Sequence, residues 1–213
     1  MKDSTRSNTR PSSAATEKGY APQATELPPW RSPLARALHR NRSLPHLKFV
    51  QLATVDAQGY PRNRTVVYRG LVEQTHQLKF ITDRRSDKML SLQNQAQVEV
   101  CWYFTKTREQ FRFAGQMLAI DGESAEDAGL RQEAWQRLSD NAQRQFYWPT
   151  PGERRAPDAA FEEIEPLSLP PDSFVLLLLS PMQVEHLQLR GNPQERKRYG
   201  LRNEGWGVER INP

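Results

Sequence analysis

The sequence predicts a mainly β protein, an antiparallel barrel or sandwich with flanking helices. Two observations lead there. Between residues 46 and 120 five short segments alternate in the strand manner, separated by brief turns. The longest apolar run, Phe174 to Leu179 (FVLLLL), has the length of a buried strand. It is far below the roughly 20 residues that cross a bilayer.

Composition narrows the class. With 213 residues, the chain suits one domain or one domain plus extensions, and 37% hydrophobic content implies that part of it is unpacked. Residues 1–29 are rich in Ser, Thr, Pro, Ala and Gln, with almost no large apolar side chain before Leu27. Such a segment cannot bury enough surface to offset its ordering entropy, so a disordered tail is expected, with the folded domain at 30–213. The N-terminus lacks the apolar core of a secretory signal. A single cysteine, Cys101, excludes an intramolecular disulfide and fits a reducing, cytoplasmic location. Thirty Lys+Arg against 25 Asp+Glu give a net charge of +5, but the signs are mixed along the chain. That diffuse excess does not argue for nucleic acid and suits an anionic small ligand equally well.

The elements follow in order. In SPLARALHRN, Ser32 is the expected N-cap, Pro33 the first helical residue, and Leu34, Ala37 and Leu38 the apolar face. HLKFVQLATV (46–55) places Leu47, Phe49, Gln51, Ala53 and Val55 on one side of a strand. RNRTVVYRGL (62–71), QLKFIT (77–82), QVEVCWYF (97–104) and REQFRFAGQMLAI (108–120) are the next strands, with a helix from Ser86 to about Asn94. Residues 124–147 read as helical, with Leu130, Ala134, Trp135, Leu138 and Phe146 on one face. WPTPGERRAP is a loop, 172–190 one long strand or a bent pair, and GWGVERI a last strand. Glu162, Glu163 and Glu165 read as solvated surface, and Cys101 as a buried, inert thiol.

Candidate chemistry gathers in LKFITDRRSDKM (78–89), where an apolar strand runs into a polar turn and a helix start. Ser86 there is an ordinary cap. The same helix end also offers N–H groups and a positive dipole end to an anion. Lys88 in the first turn meets the unfavourable end of that dipole, a conflict that Asp87 eases and a bound anion would remove. Arg64 lies in RNRTVVYR; facing inward it would need a carboxylate or phosphate, facing outward it would need nothing. Gln110 is either an exposed strand-end amide or a hydrogen-bonding partner for a heterocycle. His39, His46, His76 and His186 are isolated, without metal-ligand spacing. No GxGxxG, P-loop or GxSxG motif occurs.

Taken together, these segments resemble the pyridoxamine 5'-phosphate oxidase-like family of flavin-binding split barrels. The likeness runs from about Trp30 to Pro213. The family's R-x-V-x-x-K strand is matched by Arg64, Val66 and Arg69. Its strand-to-helix segment is matched by Ile81-Thr82-Asp83 and Ser86-Asp87-Lys88. Its R-Q-V-x-x-x-G strand is matched by Glu109-Gln110-Phe111 and Gly115. Its W-x-x-x-R-L-x-P ending is matched by Trp206, Arg210 and Pro213.

The resemblance implies a split barrel that binds flavin mononucleotide (FMN) at the interface of a homodimer. It implies that Arg64 and Lys88 hold the phosphate with help from Ser86, and that Val66, Val67, Ile81 and Thr82 line the isoalloxazine or ribityl chain. Gln110 would hydrogen-bond the ring, and Thr65, Asp87 and Arg196 complete the implied cofactor-binding set. Arg69 stands at the family's substrate-phosphate lysine, with the same charge and a different geometry. The family's C-terminal R-x-H triplet has no match; an alignment anchored on Arg196 puts Asn192-Pro193-Gln194 there. FYWPTPGERRAPD (146–158) is also foreign to the oxidase proper, and is read as a flavin-covering or dimer-packing loop. The expected function is that of an FMN-dependent oxidoreductase with a small-molecule substrate. The alternatives are a non-catalytic flavin-binding module, the true oxidase and, more remotely, a nucleic-acid-binding barrel. No membrane partner is expected.

Overall fold

The computed structural model describes residues 27–124, 127–161 and 168–213. The expected tail lies outside the described residues up to position 26, as do Glu162, Glu163 and Glu165. The elements are α1 (Arg31–Asn41), β1 (Phe49–Val55), β2 (Pro61–Val67), β3 (Leu78–Asp83), α2 (Asp87–Asn94), β4 (Gln97–Phe104), β5 (Glu109–Ile120), α3 (Ala128–Gln136), α4 (Asp140–Arg144), β6 (Phe174–Gln188), β7 (Glu195–Arg202) and β8 (Gly205–Ile211). All strand pairs are antiparallel, in the order β2-β1-β4-β5-β6-β7-β8, with β3 on the other edge of the first half of β6. The chain leaving β2 returns to β3. Arg69 N–H donates to Lys79 O and Lys79 N–H donates to Gly70 O, both at 2.8 Å. Those bonds tie the chain just after β2 to β3 and close β1–β6 into a barrel; β7 and β8 extend the far half of β6.

The long strand β6 shows how one segment serves two layers. Val175, Leu177 and Leu179 fill the barrel with Trp102, Phe80 and Phe113, whereas Phe174, Leu176 and Leu178 pack beneath the α3–α4 region. Both faces are covered, so the run is continuously apolar. The pairing of β5 with β6 then shifts: Gly115 faces Pro181 but Ala114 faces Gln183. The extra residue, Met182, is a β-bulge, and it reverses which side of β6 points inward. Beyond it Val184 and His186 face the core, and Glu185 and Leu187 take the outward side.

Helix α1 closes one end of the barrel with Trp30, Leu34 and Ala37; Trp30 packs edge-on against Phe113 and Trp206. Tyr68 lies against Trp102 with ring centroids 4.6 Å apart, and burial pushes its hydroxyl up to about 12.

Several expectations need correction. The N-cap of α1 is Trp30, not Ser32, which falls inside the first turn. In β1 the expected alternation holds, and the core side is the opposite one, Val50, Leu52 and Thr54, with Phe49 half exposed. Within 124–147 the described residues form two short helices and a 3-10 turn, with Trp135, Leu138 and Phe146 in one apolar cluster. Cys101 is half-buried rather than buried. Burial still pushes its thiol up, against the pull of Arg112. Strand β7 carried no recognisable pattern because Tyr199 is its one buried residue.

Candidate functional site

The turn between β3 and α2 departs from ordinary capping. Ser86 has the extended backbone of an N-cap, yet its side chain caps nothing. Its hydroxyl donates instead to Asp83 O at 2.7 Å and lies 3.1 Å from Thr82 Oγ1. Lys88 Nζ donates to both hydroxyls, at 2.8 Å to Thr82 and 3.0 Å to Ser86. Thr82 and Ser86 are buried and Lys88 is half-buried. A lysine is thus folded back over the start of its own helix, held by two neutral oxygens and no carboxylate. Asp83 is occupied elsewhere, by a two-point contact with Arg85 at 2.6 and 2.9 Å.

Arg64 approaches from β2. Its register partner is Leu52, and it shares the inward side of the strand with Val66. Its guanidinium donates to Thr54 Oγ1 at 2.7 Å and to Leu52 O at 3.3 Å. Among the described residues Arg64 and Lys88 have no ion-pair partner. Burial depresses the Arg64 guanidinium, with Asp87 opposing. Burial, and then the charge of Arg64, depress the Lys88 ammonium. Two cations that disfavour each other, beside a helix N-terminus, form a cradle for a dianion such as a phosphate. This donor set fits the phosphate of FMN.

The 146–158 loop lies against the same turn. Arg85 Nη2 reaches Phe146 O at 3.4 Å, and a Cβ placed on Gly152 would come within 4.0 Å of Asp87 Oδ2. The loop therefore passes beside the cradle.

Of the remaining residues singled out in the sequence, Thr65, Val67, Arg69, Gln110 and Arg196 fall on the outward face of the sheet. Gln110 pairs with Tyr103 on one side and Leu187 on the other, and Leu187 pairs with Arg196. Extending the β1–β4 register by two residues places Phe49 beside Tyr103, and Phe49 pairs with Val67. Val67, Phe49, Tyr103, Gln110, Leu187 and Arg196 thus form one row across the strands. Phe49 is 50% and Tyr103 42% exposed. Thr65 and Arg69 share the outward side of their strand with Val67, and both are exposed. Arg196 is held by Glu185, which Arg198 also contacts at 3.0 Å and Arg112 at 3.6 Å. Burial works to raise the Glu185 carboxyl, but the arginine hydrogen bonds outweigh it and hold it below the usual range. Val66 belongs to the core, and Ile81 packs between the barrel wall and the helices.

The chain therefore brings Arg64, Thr82, Ser86, Asp87 and Lys88 together. It does not bring Gln110 and Arg196 to them. Three strand spacings separate Gln110 from β2, about 14 Å. Glu185 is the residue that sequence reasoning missed. Its signal was the charge alternation of VEHLQ against ERKR, legible only once β7 is known to be a strand.

A barrel closed in this way, with a pair of cations at the β3–α2 turn, has the architecture of the FMN-binding split barrels. The family model for the pyridoxamine 5'-phosphate oxidase FMN-binding domain matches residues 27–121. The chain is 35% identical to pyridoxine/pyridoxamine 5'-phosphate oxidase 2 of Arabidopsis thaliana, over 89% of this chain and 99% of that protein. A crystal structure of a pyridoxamine 5'-phosphate oxidase-related, FMN-binding protein from Nostoc punctiforme superposes with a TM-score of 0.86 at 48% identity, covering 89% of this chain and all (100%) of that one. PhzG from Burkholderia lata shares the fold, with a TM-score of 0.71 at 17% identity over 94% of this chain and 100% of that one. The chain belongs to the pyridoxamine 5'-phosphate oxidase-related family of FMN-binding proteins, and its cofactor is FMN.

We propose that Lys88, as a ligand of the FMN phosphate, gives this cradle a pH dependence. Its proton is already loosened by burial and by Arg64. A bound phosphate dianion favours the charged form, so FMN binding and protonation of Lys88 reinforce each other. FMN affinity is expected to fall as pH rises through the Lys88 pKa, which lies below its ordinary 10.5. Fluorescence titration with FMN across that range reads it directly. In Lys88→Arg the fall should disappear, because arginine stays charged; the same fall in that variant would assign the effect to another group.

Proposed function

We propose that the protein is a homodimeric FMN-dependent oxidoreductase that acts on a small molecule. The observation that carries this reading is the pair of half-buried cations, Arg64 of β2 and Lys88 of α2, which have no ion-pair partner among the described residues. In this reading they hold the FMN phosphate with Thr82 and Ser86, and Thr65, Val67 and Ile81 lie along the rest of the cofactor. Gln110 and Arg196 complete the site from the second subunit, which explains why one chain leaves Gln110 three strands, about 14 Å, from β2 and Arg196 two strands further. The outward row with exposed Phe49 and Tyr103 is the surface offered to that subunit. Glu185 keeps the Arg196 guanidinium fixed on it. Arg69, on the same outward side as Val67, meets an anionic substrate in this reading.

When bound, FMN supplies hydride transfer at its ring. The chain's own contribution is to fix the phosphate, orient the ring through Gln110 and shield the cradle with the 146–158 loop. The name of the Arabidopsis relative makes pyridoxamine 5'-phosphate the first substrate to test, despite the missing R-x-H triplet. The purified protein is expected to show flavin absorbance that bleaches anaerobically with pyridoxamine 5'-phosphate, NADH or NADPH. A flavin that resists all of them would favour a binding module over an enzyme.

The dimer reading has its own test. The double variant Phe49→Glu/Tyr103→Glu places charges in the proposed interface and leaves the core untouched. It should sediment as a monomer and lose FMN affinity at least tenfold. A monomer that keeps stoichiometric flavin would contradict an interface site.

A further inference from the structure

On the inner side of the same strands lies a second constellation that shares no residue with the Arg64–Lys88 cradle. Glu109 and Gln188 are register partners, next in sequence to the outward Gln110 and Leu187. Together with the second half of α1 and the β4–β5 turn, they bound a cleft of about 290 Å³, lined by Arg36, Arg40, Thr107, Glu109, Gln188 and Arg190. Every lining side chain is polar, and three guanidinium groups stand against one carboxylate. Arg36 and Arg40 are one helical turn apart on one face of α1. Among the described residues neither has an ion-pair partner. Arg190 is fixed at the rim, where its Nη2 donates to Lys106 O at 2.8 Å.

The single acid is held in place from behind. His186, 2% exposed and stacked on Phe111 at 4.1 Å, sets Nε2 at 2.7 Å from Glu109 Oε2. Burial works to raise the Glu109 carboxyl, but hydrogen bonds from His186 and Thr107 and the charge of Arg40 hold it below the usual range. A fixed carboxylate among uncompensated arginines leaves a net charge of about two positive units, which a phosphate monoester dianion matches.

We propose that this cleft binds a small phosphate monoester. Arg36, Arg40 and Arg190 grip the phosphate, and Glu109 accepts a hydrogen bond from a hydroxyl or ammonium group on the organic part. The complementary dipole end of α1 accounts for Arg40 alone, since Arg36 sits a turn earlier.

Isothermal titration of the FMN-loaded, full-length protein with glycerol 3-phosphate tests this, because the flavin phosphate cradle is then filled. Saturable binding is expected, weakened at least tenfold in Arg36→Ala/Arg40→Ala with flavin content and melting temperature unchanged. Succinate, a dicarboxylate control, should bind at least tenfold more weakly. Three results would each overturn the proposal: no saturable binding, binding unchanged in the double variant, or succinate binding as tightly. If the double variant does not fold, Arg190→Ala at the exposed rim decides. A loss of threefold or more supports the site, and unchanged binding rejects it.

Discussion

Replacing Arg64 and Lys88 together by alanine should yield a folded protein that purifies without flavin. Each side chain offers a charge-assisted contact to a phosphate, worth about 1.5–3 kcal/mol. Losing both removes about 3–6 kcal/mol of binding, a factor on the order of 10² to 10⁴ in affinity. The fold should survive because neither group supports it. Arg64 donates to one hydroxyl and one carbonyl, and Lys88 to two hydroxyls. Thr82 and Ser86 keep each other as partners when the ammonium leaves. Relief of the repulsion between the two cations should offset part of what is lost. Equilibrium dialysis against FMN, with circular dichroism as the control for folding, separates the two effects. Stoichiometric flavin in the double variant would return the β3–α2 turn to an ordinary helix start.

The parts legible in the sequence were those governed by local rules. Strand β4 was placed to the residue by its alternation, and β8 by its match to the family's closing motif. The continuous run in β6 read correctly as a buried strand. Ser86 was legible as an N-cap by position, but its side chain turns away from its own helix. No local rule separates those two uses of one hydroxyl; the distinction comes from Lys88 and Thr82 competing for it. Strand β7 was not legible, since half-exposed charged residues gain their order from pairing with β6 and β8 rather than from burial. The inward side of Arg64 was undecidable for a related reason. Parity in β2 depends on its register with β1, which no residue within β2 specifies.

The bulge at Met182 links fold to function most directly. Without it, β6 would keep one parity along its length and Glu185 and Leu187 would turn into the barrel, taking the support of Arg196 off the outward face. Gly115 makes the bulge possible. A Cβ there would lie 2.0 Å from Ser180 O, 2.9 Å from Ser180 C and 3.0 Å from Pro181 Cα. These are backbone atoms, so no side-chain rotation relieves the clash. Pro181 has no N–H to give to a ladder, which is tolerated where the pairing is already broken. Gly115→Ala is therefore expected to destabilise by about 3 kcal/mol, the upper end of ordinary overpacking. That is a large share of a net stability of about 5–15 kcal/mol. Gly200→Ala supplies the control, because a Cβ at that position meets nothing within 4 Å. Its effect should stay within about 0.5 kcal/mol. Urea unfolding midpoints of the two variants compare them. The variant at 115 should also lose FMN, since forcing β5 and β6 apart moves Gln110 and Leu187 together. Equal midpoints for the two variants would mean that the strands yield at the bulge, and that the register around Gln110 is set elsewhere.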